Sequence, residues 1–471
     1  MKKKCFNIVW LIAVLLSFTA CNDFLDIQPV GKVMPKTGQE FRDLLTEAYS
    51  AITNDRGKTV YRSDELILDK GSTTSEGLNL YLDIWRWKDG SEDNNTISFG
   101  WRTLYYVSYI ANTVIEQKDG ITEASEAECN QLAGEAYMLR AYMHFILVNL
   151  YAEPYTHCDP TVTKGIPLKL NSDVKAVLSR NTVGEVYSSI LSDINEAEKL
   201  LNVETWPEGE TYRFNKLSVD AFRSRVYLYM GDWQNAYNKA KQVVETHGEL
   251  EDMTTSSVLP NHYHSVEAIL SLEEVFAAEF QTNGRVSNSL LDLYRSGDMR
   301  KSKFYRAETT SISYVTKGGS NEYRCTFRTS EFYLTAAEAA LELNDMDNAH
   351  YYLTELMKKR YHSSRYPTYE ALILSMTKDE LRQEIYDERF RELAFEGHRR
   401  LDLIRWGIYS ETIEETYNAL KAWWDEREDD KNTLIPNYVI YDYTEKGKHE
   451  LMPIPQREMD LCTQFNQNPG W

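Results

Sequence analysis

The stretch Tyr81-Leu82-Asp83-Ile84-Trp85-Arg86-Trp87-Lys88 carries the residue types needed to hold a polar ligand. In an extended chain successive side chains alternate, so Tyr81, Asp83, Trp85 and Trp87 would share one face and Leu82, Ile84 and Arg86 the other. Flat aromatic rings cover the C–H faces of sugars, while carboxylates and guanidiniums bond the hydroxyls. The competing reading of each ring is ordinary core packing. Asp64 is a further candidate from the same region, and Trp423-Trp424 offers a second platform.

Other constellations promise less chemistry. Glu388, Glu392 and Glu396 fall on one helical face, but Arg389, Arg391, Arg399 and Arg400 surround them. With Asp387–Arg391 and Glu396–Arg400 at i,i+4, the expectation is a structural ion-pair network and not an acid/base site. His262-x-His264 on a polar loop falls short of a metal-ligand set. No GxSxG, HExxH, P-loop or dinucleotide fingerprint occurs, so no catalytic residues, metal or cofactor are assigned. A glycosidase carboxylate pair cannot be picked out by reading among 72 acidic residues.

The elements that must position these residues are helical. In Leu132–Pro154, Leu132, Ala136, Leu139, Met143, Ile146 and Leu150 recur at helical spacing, and from Ala141 to Tyr151 the other faces are nearly apolar too. This predicts a buried central helix that stops before Pro154. Ala133, Gly134, Ala136 and Ala141 let a neighbouring backbone approach. Helices are also expected over Phe41–Ile52, Trp101–Gln117, Thr182–Leu201, Asn215–Met230, Trp233–Glu245 and Asp379–Trp406. Leu228–Ala236 matches Leu341–Ala349, each giving helix, tight turn at Asp, then a helix opening on Asn-Ala. The fold class is therefore mostly α, a tetratricopeptide-like helical hairpin scaffold with long loop insertions. A minor β-hairpin is expected from Ile312–Val315 and Tyr323–Phe327 around Lys317–Asn321. Val60–Gly100, Tyr155–Arg180 and Asn432–Trp471 read as irregular, the last with a short strand near Tyr438–Tyr443.

The ends and the charge set the compartment. Lys2–Lys4 followed by Phe6–Phe18 suits a secretory signal and is too short for a convincing membrane span. Ser17-Phe18-Thr19-Ala20-Cys21 looks like a bacterial lipobox, making Cys21 the lipidated first mature residue. The net charge is −20; without Lys2, Lys3 and Lys4, 49 basic residues face 72 acidic ones, giving −23. Nucleic acid and charge-driven docking on anionic lipid are disfavoured. Beyond Cys5 and Cys21, Cys129, Cys158, Cys325 and Cys462 allow three pairings and show no CxxC spacing.

Several segments together resemble the SusD/RagB family of Bacteroidetes outer-membrane nutrient-binding lipoproteins. They are the lipobox with Phe24-Leu25-Asp26; Trp101, Tyr105 and Asn112; Gly134-Glu135-Ala136 with Leu139-Arg140-Ala141; and Tyr229-Met230-Gly231-Asp232-Trp233 with Ala336-Ala337-Glu338-Ala339. Further on come Glu388-Arg389, Glu392-Leu393, Glu396–Arg400, Asp402-Leu403 and Arg405-Trp406-Gly407, then Pro453-Ile454-Pro455 and Gln467–Trp471. Trp471 in place of the usual Tyr, and Cys462 in a segment usually rich in Asn, are departures. The resemblance implies 1–20 as signal peptide, 21–40 as lipidated N-terminus and tether, and 41–471 as the ligand-binding domain. It implies a non-enzymatic, lipid-anchored protein at the outer-membrane surface. Such a protein captures a glycan and delivers it to a TonB-dependent SusC-like β-barrel. Rivals are a same-fold binder of peptides or proteins and a surface glycoside hydrolase. It also places ligand contacts in the early insertion, which favours the face read from Tyr81, Asp83, Trp85 and Trp87, with Asp64 a further candidate from the same region. Tyr294, Asp298 and Arg300 match a structural D-x-R and are left out of that set.

Overall fold

The computed structural model describes residues 34–68, 81, 84–85, 99–176, 178–276, 284–309, 313–426 and 450–468. The first helix among the described residues, α1 (Gly38–Ala51), starts from a Thr37/Glu40 capping box. Helices α2 (Arg102–Gln117) and α3 (Glu126–Tyr151) form a hairpin, and α3 also packs against α4 (Val183–Leu200). The expected central helix is α3, buried nearly all round as its composition requires. It begins six residues earlier than Leu132, because Ser125 and Glu128 cap each other's backbone N–H groups. Leu201 presses on Gly134 so closely that a Cβ there would sit 2.8 Å from its Cγ. The polar residues of α3 are bonded inward. Glu135 accepts from Arg42 at 2.8 and 2.9 Å and from the Tyr49 hydroxyl at 2.9 Å. Arg140 pairs with Asp193 at 2.6 Å and donates to Asn112 at 2.7 Å, while Asn112 donates to the carbonyls of Lys169 and Asn171. Burial pushes His144 down to about 3, so it is a neutral core residue.

Helices α5 (Lys216–Met230) and α6 (Trp233–Thr246) form the next hairpin. The strands are short and pair over long distances. β1 (Leu66–Leu68), β3 (Gly284–Val286), β5 (Ser313–Val315) and β4 (Tyr305–Ala307) make one antiparallel sheet in the order β1-β3-β5-β4. β2 (Ala268–Leu270) pairs with β6 (Phe327–Arg328) in a second. The expected hairpin of Ile312–Val315 with Tyr323–Phe327 is therefore corrected: the two segments join different sheets. Lys317 is the reason. It is buried against Glu396 and donates to the carbonyls of Glu392 and Ala394, which pulls the chain away from a tight turn. Two short helices, α7 (Asn288–Leu293) and α8 (Met299–Phe304), lie between β3 and β4.

Helices α9 (Thr329–Glu342) and α10 (Met346–Lys358) repeat the α5–α6 hairpin in detail. Gly231 and Asn344 both turn left-handed, at φ +69° and +63°. Asp232 then caps Asn235 N–H and holds its side chain at 2.8 Å, as Asp345 does for Asn348 at 2.7 Å. Ala236 and Ala349 follow, both buried, and each is small enough to let its helix nest. Helix α9 packs on both α6 and α10, which joins the two hairpins.

Later helices among the described residues are α11 (Tyr366–Leu374), α12 (Lys378–Glu392), α13 (Arg399–Arg405), α14 (Tyr409–Glu426) and α15 (Gln456–Leu461). The single helix expected over Asp379–Trp406 is thus two, broken after Glu392. Phe395 and Gly397 take φ +61° and +71°, and the backbone of Arg56 leaves no space for a Cβ at Gly397. The C-terminal stretch contains α15 where loop is expected, and Tyr438–Tyr443 lies outside the described residues. Gln467 and Ile454 exchange two 2.8 Å bonds, and Asn468 donates to the carbonyls of Tyr151 and Met452. The chain end is thereby clamped to the end of α3.

Candidate ligand-binding site

The early insertion springs from a rigid base. At one root, Asp55 accepts the N–H of Gly100 at 2.6 Å, and the Tyr151 hydroxyl donates to the carbonyls of Phe99 and Gly100 at 3.2 Å. At the other, β1 pairs with β3 in register Leu66↔Val286 and Leu68↔Gly284. Between them, Arg399 at the start of α13 grips both oxygens of Asp64 at 2.8 Å and lies 3.8 Å over the Phe390 ring. Next to that pair, Glu65 accepts from Phe395 N–H at 2.6 Å and from the Ser63 hydroxyl at 2.8 Å. Burial pushes its carboxyl up to about 7, against those two hydrogen bonds. Burial opposes the Arg399 charge, but Asp64 outweighs it and holds the guanidinium above its usual range.

The base receives some of the expected ligand contacts as packing residues. Tyr81, Ile84 and Trp85 have helical backbone, so the extended face with period two is corrected. Spacing of three and four puts these three side chains on one face, and all are buried. Tyr81 stacks on Tyr61 with centroids 4.6 Å apart, and Trp85 is only 2% exposed. Asp64, at 3% exposure and fully engaged by Arg399, anchors the base and offers no free oxygen to a ligand. Asp83 and Trp87 lie outside the described residues, as does Cys21. Trp423 and Trp424 belong to α14, but their side chains lie outside the described ones. Reading the sequence missed Tyr61 and Arg399 as partners of Tyr81 and Asp64; the Glu396–Arg400 run marked Arg399 only as part of a charged cluster.

The acidic helix is structural, as expected, though its partners differ. Glu392 meets Arg300, Arg328 and Arg360 at 2.8, 2.7 and 2.9 Å, Glu388 meets Arg300 at 2.6 Å, and Glu396 meets Arg328 at 2.8 Å. Arg391 pairs with Glu384 and Glu388 instead of Asp387, and Arg400 reaches the Glu450 carbonyl instead of Glu396. Burial opposes ionisation of Glu392, but Arg360, Arg328 and Arg300 overcome it and hold the carboxyl well below the usual range. His264 meets Glu208 at 3.0 Å, and no group of three metal-ligating side chains exists among the described residues. Cys129, Cys158, Cys325 and Cys462 are all unpaired.

Two family profiles cover the chain. One, described as SusD family, matches residues 209–471, and one described as starch-binding associating with outer membrane matches 23–228. The chain belongs to the SusD/RagB family. SusD-like protein P25 of Formosa agariphila is 22% identical, covering 97% of this chain and 96% of that protein. A SusD superfamily protein from Bacteroides thetaiotaomicron has the same fold, with TM-score 0.71 at 23% identity, covering 92% of this chain and all of that one. A laminarin-binding SusD-like protein aligns with TM-score 0.63 at 18% identity, over 93% of this chain and all of its own. The SusD-like membership explains why the motif residues are so often structural. Glu338, of the Ala336–Ala339 motif, accepts Arg405 at 2.5 and 2.7 Å and Trp406 Nε1 at 2.9 Å, so two distant motifs are halves of one contact.

Proposed function

We propose that this SusD-like chain is a cell-surface lipoprotein that captures glycan and delivers it to a SusC-like TonB-dependent β-barrel. The observation that carries the reading is the match of residues 23–228 to a starch-binding, outer-membrane-associated family profile. The laminarin-binding relative supports the ligand class. Residues 1–20 are the signal peptide, Cys21 carries the lipid within the 21–40 tether, and 41–471 binds. Asp83 and Trp87 contact the glycan, while Tyr81, Trp85 and Asp64 support the segment that bears them. Delivery to a separate pore rests on the SusD-like family; among the described residues no helix is long and apolar enough to cross a membrane.

Binding proceeds without turnover. Glu65 has the raised pKa of a general acid, but it is fully buried and both its oxygens are occupied by Phe395 and Ser63. A glycan-array screen of the protein lacking residues 1–21 tests the reading, with the chain length of each bound glycan followed over time. Glycans should bind and keep their length. Binding to no glycan, or shortening of one that binds, would overturn it.

A further inference from the structure

The loop between α4 and α5 carries a feature that the insertion does not account for. In Trp206–Arg213 the chain turns twice, with Glu210 N–H on the Pro207 carbonyl and Arg213 N–H on the Glu210 carbonyl, both at 3.0 Å. Trp206 Nε1 donates to the Phe214 carbonyl at 3.0 Å and fastens the loop to the start of α5. Arg213 lies over both Trp206 and Tyr212, at 5.1 and 5.4 Å, and Arg42 lies 5.6 Å from Trp206. Two other loops are tied alongside. Ser271 N–H donates to the Thr211 carbonyl at 3.0 Å, and Tyr263 N–H to the Glu322 carbonyl at 2.9 Å.

Where these three loops meet there is a cleft of about 350 Å³, lined among others by Glu208, Thr211, Tyr212, Tyr263, Asn321 and Arg324. Its rings are held in place by neighbours. Tyr212 packs edge-on against Tyr49 at 5.3 Å, and Tyr263 packs against His262 and His264 at 5.0 and 4.0 Å. Its polar groups, in contrast, have bonding capacity to spare. Glu208 takes both the Tyr263 hydroxyl and His264 on Oε1, at 3.2 and 3.0 Å, which leaves Oε2 without a partner among the described residues. Arg324 gives two N–H groups to Asn321 Oδ1 and one to the Leu272 carbonyl, three of the five a guanidinium owns. Asn321 Nδ2 makes no bond within the described residues.

We propose that this cleft is a second glycan subsite, separate from the early insertion, that takes one neutral sugar unit of a chain or branch. Held rings suit the C–H face of a pyranose, and they lose little freedom on binding. A free carboxylate oxygen beside free guanidinium and amide N–H groups suits vicinal hydroxyls, which both accept and donate. Glu208 and Arg324 balance each other, and the chain's net charge of −20 repels polyanions, so a neutral sugar is favoured over a uronate or sulfated polymer. The volume lies near the bottom of the range of about 300–1,000 Å³ for small-molecule clefts, which limits the occupant to a terminal or branch unit. The proposal rests on the glycan-binding reading above but uses different loops, so the subsite can fail while that reading stands.

The test measures the full-length protein in detergent against laminarin, soluble starch and yeast mannan, by affinity electrophoresis and calorimetry. Tyr263→Ala and Glu208→Ala should each weaken at least one of these probes about tenfold, a change typical of losing one good contact, with an unchanged Tm. Glu208 is exposed, so its variant keeps the fold even if Tyr263→Ala does not. A wild-type protein that binds none of the three sinks both readings. Binding that falls with Trp87→Ala yet ignores both cleft substitutions sinks this subsite alone, as does a preference for polygalacturonate over the neutral probes.

Discussion

Helix α12 and the base of the early insertion both gather acids and arginines, and they use them in opposite ways. Around α12, Glu388, Glu392 and Glu396 are shared among Arg300, Arg328, Arg360 and Arg391, and these groups are almost wholly buried. The network ties α8, the approach to α9 and the end of α10 to one helix. At the insertion base, a single Asp64–Arg399 pair and the lone carboxyl of Glu65 fix the root from which a long segment departs. The density of acids therefore says little about where a ligand goes. A site needs groups with bonding capacity left over, and α12 has spent its own on the fold.

The largest effect should come from breaking the shared lattice. Glu392→Ala would leave Arg300, Arg328 and Arg360 facing one another with one carboxylate fewer. Removing one partner of a buried ion pair costs about 3–5 kcal/mol, and three partners put this variant at or beyond the top of that range. Expression without a cooperative unfolding transition is the expected result. A variant that melts within a few degrees of the wild type would show that water already reaches this network.

The insertion base predicts a split between two nearby tryptophans. Trp85 is core, so Trp85→Ala should cost about 3–5 kcal/mol of stability in urea titration. Trp87→Ala should leave stability nearly unchanged and weaken glycan binding by about 1–3 kcal/mol, as the loss of a stacking ring does. Equal losses of stability in the two variants would erase the distinction between a supporting ring and a contacting one.

Much of the scaffold was legible because its signals are local. The Gly231-Asp232 and Asn344-Asp345 turns, each followed by Asn-Ala, are written within nine residues and fold as read. The α12 break was not legible, because it depends on Arg56, more than 300 residues away, and on Lys317 capturing the Glu392 and Ala394 carbonyls. Strands of two or three residues carry too little periodicity to announce partners such as Leu66 and Val286. For the site, Tyr81, Ile84 and Trp85 fit helical spacing as well as the alternation drawn through Tyr81, Asp83, Trp85 and Trp87, and burial against Tyr61 decides for the helix.

The most conditional effect, absent below about pH 4.5 and complete above about 7, belongs to Glu65. Its folded pKa of about 7 stands above the ordinary value of 4.5, because burial disfavours the charge more than Phe395 N–H, Ser63 and Arg399 favour it, with Asp64 adding repulsion. Below about pH 4.5 the carboxyl is protonated in both folded and unfolded chains, and it costs nothing. Between 4.5 and 7 the unfolded chain releases its proton while the folded one keeps it, so stability falls as pH rises. Above 7 both are ionised, and the full penalty of about 3 kcal/mol remains. Glu65→Gln keeps an acceptor for Phe395 N–H, and the Ser63 hydroxyl, which donates to the carboxylate in the wild type, can turn to the Val60 carbonyl and accept from the new amide. The variant should match the wild type near pH 4.5 and exceed it by roughly that amount at pH 8, in paired urea titrations. The difference isolates Glu65 from the acids around α12, which titrate alike in both proteins. A variant no more stable than the wild type at pH 8 would mean that Glu65 is ionised at little cost, and that the insertion base is wetter than its packing indicates.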